Sequence, residues 1–222
     1  MRLRHLAAAA LAVAFLARIP VARAAAIDED DVEGCDDLPS CTAACDHGDG
    51  DGCFDAGTMY YGGDDDAPAD PRKARSYFEK ACNLGENDGC VEAALLYESG
   101  DAGVDLARAA ALYQKSCYAG DAAGCAYLGG LYHSGKGVAK DVDRAITLLR
   151  GACTRAEGLG CLTLAAIYEK GDGVKKDAAK AIDLYRRGCE LGEDEACDAV
   201  ERIAPAKKPD AKKKPQGARP TR

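Results

Sequence analysis

Tryptophan is missing from this 222-residue chain, and Met and Phe occur two and three times. Any core must therefore be built from Ala, Leu, Tyr and Cys, which fill space only where elements approach closely. Histidine is as scarce: His5, His47 and His133 lie far apart, which excludes a His-cluster metal centre. No apolar run approaches the roughly 20 residues of a membrane span, so no integral membrane association is expected. Zinc sites favour short Cys-x2-4-Cys knuckles in pairs, and only one such spacing, Cys41–Cys45, occurs, which argues against zinc. Neither a metal nor a cofactor is called for.

The longest apolar run, Leu6–Leu16, follows Arg2 and Arg4 and precedes the small-x-small sites Ala22-Arg23-Ala24 and Ala24-Ala25-Ala26. That order reads as a secretory signal peptide over residues 1–26. A mitochondrial presequence would share the four arginines but would carry Ser and confine its apolar residues to one helix face. The expected destination is outside the cytoplasm, in a bacterial periplasm or the medium.

Charge divides along the chain. The net −8 resolves into +4 in residues 1–26, −18 in residues 27–204 and +6 in residues 205–222. So acidic a body repels nucleic acid. The final segment, PAKKPDAKKKPQGARPTR, has no hydrophobic residue larger than Ala and is expected to be a disordered tail.

Cysteine is abundant instead. Five pairs share the spacing Cys-x7-Cys: Cys45/Cys53, Cys82/Cys90, Cys117/Cys125, Cys153/Cys161 and Cys189/Cys197. They recur every 35 to 37 residues, and such a period means stacked supersecondary units. An even number of cysteines in an exported chain predicts disulfides. Each periodic pair is expected to close locally, and Cys35 to bridge Cys41, outside the period.

Aligned on these cysteines, each unit holds two helices. The first is expected to begin at the second Cys of a pair, as in GCVEAALLYESG and GCAYLGGLYHSG. It carries a small residue (Gly57, Ala94, Gly129, Ala165), a bulky one two positions later and then Tyr60, Tyr97, Tyr132 or Tyr168, read as core. Gly63, Gly100, Gly135 and Gly171 mark its end. Asp70, Asp105, Asp141 and Asp177 are expected N-caps of the second helix, with Pro71 at the first helical position. That helix carries Ala74, Ala109, Ala145 and Ala181 and ends at the next Cys. A half unit closes each end, with helices near 36–46 and 194–203. The expected fold is an all-α, α/α solenoid of four to five repeats over residues 27–204, with one disulfide per joint.

The LYxxG element, the G-x-G-V loop, the pairs Lys73-Ala74, Arg108-Ala109, Arg144-Ala145 and Lys180-Ala181, and the AC-x-x-G-x3-GC joint together resemble the Sel-1-like repeat family, relatives of tetratricopeptide repeats. One cysteine pair per unit is similar to the secreted, cysteine-rich Hcp branch. The resemblance covers residues 36–203. Ala156 departs from it by standing where a turn Gly belongs, and the first connecting loop is a longer GGDDDAPAD.

The resemblance implies two functions: a protein-interaction scaffold, or a penicillin-binding or β-lactam-hydrolysing protein. For the second, Ser40, Ser76, Ser99, Ser116 and Ser134 each lack Lys three positions on, and Ser-Asp-Asn and Lys-Thr-Gly are absent. No catalytic residue is therefore assigned. Asp46, Asp49 and Asp51 miss Ca²⁺-loop spacing and read as a solvated turn, as do Asp64–Asp66. The expected partner is a protein or peptide on a concave face of a monomer. Its lining residues are the variable positions of the first-type helices, Asp55, Thr58, Glu92, Leu95, Tyr127, Gly130, Thr163 and Ala166. Tyr127 and Leu95 are the apolar anchors, with Glu92 and Asp55 as an acidic rim.

Overall fold

Small residues and cysteines recur wherever two helices must come closest, and the chain folds around those positions. A computed structural model describes residues 35–63 and 68–203. The expected signal peptide, the Lys-rich tail and Asp64–Asp66 lie outside the described residues. Those residues form ten helices and no strand: α1 Leu38–Asp46, α2 Gly50–Gly62, α3 Pro71–Leu84, α4 Asn87–Ser99, α5 Leu106–Tyr118, α6 Ala122–Ser134, α7 Val142–Thr154, α8 Gly158–Lys170, α9 Ala178–Glu190 and α10 Asp194–Ile203. The even-numbered helices are the first type and the odd-numbered the second. Each packs on its neighbours in the chain, and α6 also packs on α8, so first-type helices lie side by side.

The first-type helices begin about one turn earlier than expected, three residues before the second Cys. The reason lies in the joint. Each second-type helix ends on a left-handed residue: Gly48, Gly85, Gly120, Ala156 or Gly192. The next residue, Asp49, Glu86, Asp121, Glu157 or Glu193, donates its amide back to the carbonyl of Ala44, Ala81, Ser116, Ala152 or Gly188, at 3.0–3.1 Å. That bond closes a Schellman turn. At the first four joints the same acidic residue then stands at the N-cap of the following helix, directly after the left-handed residue. Asp49 and Asp121 also accept amide hydrogen bonds from the new first turn.

Each joint is stapled. Six disulfides link Cys35–Cys41, Cys45–Cys53, Cys82–Cys90, Cys117–Cys125, Cys153–Cys161 and Cys189–Cys197, with Cα–Cα distances of 4.4 to 4.9 Å. Closing a loop of about nine residues contributes about 2.5 kcal/mol in the chain-entropy account. The helices approach this closely because the residue before the second Cys is Gly. A Cβ on Gly52, Gly89 or Gly160 would lie 2.6–2.7 Å from the Cβ of Ala44, Ala81 or Ala152. At the last joint the sizes exchange: Ala196 takes the Gly position, and Gly188 stands opposite it. The departure at Ala196 is thus compensated across the crossing.

Within each unit the K/R-A motif acquires a partner that the sequence did not disclose. Asp70, Asp105, Asp141 and Asp177 cap α3, α5, α7 and α9, and each donates its own amide to the carbonyl of Tyr60, Tyr97, Tyr132 or Tyr168. Three residues after each Asp, Lys73, Arg108, Arg144 or Lys180 lies over the ring of that same Tyr. Three of these cations also donate to the Tyr hydroxyl, at 2.7–2.9 Å. Of this series, Tyr97 is buried, while Tyr60, Tyr132 and Tyr168 are half-buried. They are platforms for a cation as much as core residues, each contact contributing about 0.5–1 kcal/mol.

Neighbouring units are tied by cations set on helix C-termini, where free carbonyls carry partial negative charge. Lys115 Nζ donates to the Cys82 carbonyl at 2.9 Å, and Arg187 reaches the Thr154 carbonyl at 3.4 Å. Gly151 holds the equivalent place in the third unit. There Arg155 acts from the turn instead, donating to the Gly120 carbonyl at 2.6 Å.

Candidate interaction face

Residues facing away from the second-type helices on α2, α4, α6, α8 and α10 line three cavities. One of about 470 Å³ lies over α4 and is lined by Tyr61, Glu92, Leu95, Leu96, Glu98 and Ser99. A second, of about 290 Å³, holds Glu98, Tyr127, Gly130, Ser134, Lys136, Leu159 and Thr163. The third, of about 600 Å³, reaches from Leu159, Thr163 and Ala166 to Glu169, Asp198 and Arg202. Glu98 belongs to the first two, and Leu159 and Thr163 to the last two. The three are therefore segments of one groove crossing the first-type helices.

Six of the eight sequence-selected residues line it: Glu92, Leu95, Tyr127, Gly130, Thr163 and Ala166. Asp55 and Thr58 do not. Thr58 is exposed, and its hydroxyl donates to the Phe54 carbonyl. Asp55 is covered by the first disulfide, its Oδ2 lying 3.5 Å from Cys35 Sγ, so it is no open rim. Cys35, Cys41 and Asp55 form the one cluster of potential metal ligands among the described residues. Both sulfurs are joined to each other, which leaves no thiolate to bind an ion.

The anchors are less exposed than the sequence suggested. Tyr127 and Leu95 are half-buried. The Tyr127 ring stacks on buried Tyr113 with centroids 4.9 Å apart, so only part of it faces the groove. The sequence also left out Glu98, Glu169, Ser134 and Lys136. For Glu98, Ser134 and Glu169 the signal was present, because the spacing that selects residues 92 and 95, 127 and 130, or 163 and 166 continues one turn further, whereas Lys136 lies in the loop after α6.

Charge in the groove is uneven. At its α10 end Glu169 accepts two hydrogen bonds from Arg202, at 2.6 and 3.0 Å, and one from Tyr185 Oη at 2.7 Å. These donors hold its carboxyl down at about 2, and burial with the Glu169 charge pushes the Tyr185 phenol up to about 12. The middle differs. Glu98 accepts from Tyr113 Oη at 2.8 Å. Among the described residues, neither Glu92 nor Glu98 forms an ion pair, nor do Glu157 and Glu193, which lie outside the lining. Burial and then Asp88 push Glu92 upward, and burial with Glu193 and Asp121 pushes Glu157 upward. Tyr127 rises as well, through burial and then the charges of Glu92, Glu157, Glu193 and Glu98.

Several polar side chains have structural tasks. Ser116 is fully buried and donates to Asp121 Oδ2 at 2.5 Å within the joint. Ser99 and Ser134 donate to carbonyls of their own helices. His133 Nε2 lies 3.1 Å from Asp172 Oδ2 but off the hydrogen-bond axis, and Lys140 holds the other carboxylate oxygen at 3.3 Å.

These features define a class: a disulfide-stapled α/α repeat solenoid with a groove along its first-type helices. The Sel1 repeat pattern matches residues 50–86, 88–121, 122–155 and 159–193, and the chain belongs to the Sel1 repeat family. No curated protein sequence matches it. Among solved structures, the Sel1 repeat protein of Oxalobacter formigenes superposes with a TM-score of 0.70 at 22% identity, covering 82% of this chain and 78% of that one. The protective antigen c5321 of uropathogenic Escherichia coli, which displays an SLR fold, gives 0.66 at 24% identity over 75% of this chain, and this chain spans 36% of its length. Helicobacter pylori cysteine rich protein B is 30% identical over 59% of this chain and 95% of its own, with a TM-score of 0.47. The likeness of the first two is one of fold.

Proposed function

We propose that this protein is an exported interaction scaffold that holds a segment of a partner protein in the groove of its first-type helices, on the concave side of the solenoid. The observation carrying this reading is the continuity of the groove: the first two cavities share Glu98, and the last two share Leu159 and Thr163. A long groove suits an extended segment, whereas an enzyme gathers polar groups around one reacting atom. The six disulfides fit an oxidising compartment outside the cytoplasm, in the periplasm or the medium. No described helix is long and apolar enough to cross a membrane. The penicillin-binding or β-lactam-hydrolysing alternative gains no support from Ser116, whose hydroxyl is buried on Asp121.

The test is site-resolved cross-linking in the producing cell. A photoreactive residue at Thr163 or Gly130 is expected to trap a discrete protein adduct, and one at Arg186, on the exposed side of α9, is expected to trap none. Adducts from Arg186 alone, or from no position, count against the groove.

A further inference from the structure

Cations in this chain are placed with regularity, and the α4 end of the groove is where they are missing. Each unit sets a Lys or Arg on the Tyr of its first helix, and further cations cap the carbonyl ends of neighbouring units. Some acids elsewhere on the surface have cationic partners, as in Lys80–Asp46, Lys140–Asp172 and Arg202–Glu169. The cavity over α4 has Glu92 and Glu98 in its wall and no cation, beside the apolar surfaces of Tyr61, Leu95 and Leu96. Its neighbour adds Tyr127 and one cation, Lys136. Neither carboxylate has a cation in that wall, and charging Glu92 opposes burial and the nearby charge of Asp88. A positive group brought into that space would relieve both at once.

We infer that the occupant of the groove is an extended segment of a partner protein whose Lys or Arg side chains are read by Glu92 and Glu98 while its apolar side chains rest on Leu95 and Tyr127. Carboxylates at the wall with aromatic and aliphatic floor between them suit a strand that alternates cationic and apolar residues. Neighbouring first-type helices at 8–10 Å would make the path from α2 to α10 about 40 Å, or roughly 12 extended residues. The inference rests on the groove being a protein-binding site and adds the chemistry of what it binds.

The experiment uses the oxidised full chain and three labelled 12-residue peptides that alternate Leu with Lys, Gln or Glu, read by fluorescence anisotropy. The Lys peptide is expected to bind at least tenfold more tightly than the Gln peptide, and to weaken as salt rises from 50 to about 300 mM. The double variant Glu92→Gln/Glu98→Gln should lose at least tenfold in affinity. The charge-matched control Asp183→Asn/Glu190→Gln on α9 should lose less than twofold. Equal losses in both doubles would reduce the effect to net charge and overturn the inference. Equal binding of the Gln peptide, abolished by Thr163→Arg, would overturn the cationic specificity while leaving the groove as a protein site. Failure of all three peptides would overturn the inference, and the cross-linking would still decide the groove. Binding that appears only after residues 205–222 are deleted would assign the groove to the chain's own Lys-rich tail and overturn a partner in trans.

Discussion

At the scale of single residues, Ala156 has φ +65° where the other four joints use glycine. A Cβ in the left-handed region costs about 1–2 kcal/mol through its clash with the carbonyl. Ala156→Gly should therefore stabilise the protein. The freer unfolded chain offsets part of the gain, leaving about 0.5–1 kcal/mol. The urea midpoint should rise at unchanged slope, and an unchanged or lower midpoint would show that the joint has relaxed around the alanine. The sequence exposed this site because four glycines sit in register with one alanine. It did not expose the cation partners of Tyr60, Tyr97, Tyr132 and Tyr168. Both recur in every unit, but a Tyr and a cation 11 to 13 residues further on come together only when the loop between them folds back.

At the scale of an element, α10 closes the stack with one charged anchor. Arg202 and Tyr185 hold the Glu169 carboxyl at about 2, below its ordinary 4.5. A carboxylate depressed on folding contributes stability that is complete above its unfolded value and lost as pH falls towards its folded value. Glu169→Gln should thus be less stable than the wild type at pH 6, with the gap closing between about pH 4.5 and 2. Circular dichroism during urea unfolding at several pH values measures it, and a gap constant across that range would dissociate Glu169 from the anchor. Helix existence was legible because caps, small residues and cysteines repeat. Helix starts were misjudged by a turn because the cysteine marks the covalent joint, while the backbone bonds that start the helix begin at the preceding acid.

At the scale of the molecule, the architecture was written in the cysteine period, but the groove was legible only as a set of variable positions. Variation alone cannot separate a solvated face from a recessed one. Placing Tyr127 against Tyr113 and Asp55 beneath a disulfide depends on which side chains from other helices arrive beside them. The state of the acids was hidden for the same reason: Glu92 and Glu157 are pushed upward only once burial and the charges of Asp88, or of Glu193 and Asp121, come beside them.

The joints also make the chain editable. Every bridge closes within one joint, so the cut from Lys136 to Gly171 removes both members of Cys153–Cys161 and orphans no thiol. It rejoins Gly135 to Asp172-Gly173-Val174, restores a loop of the same length and brings Lys180 to Tyr132 in place of Arg144. The shortened chain should fold with five native bridges, which non-reducing peptide mapping would read directly, and any mispaired cysteine would deny the units their independence. In-frame gain or loss of a whole unit then costs the lineage no broken crosslink, and groove length becomes a quantity that unequal recombination can change in one step.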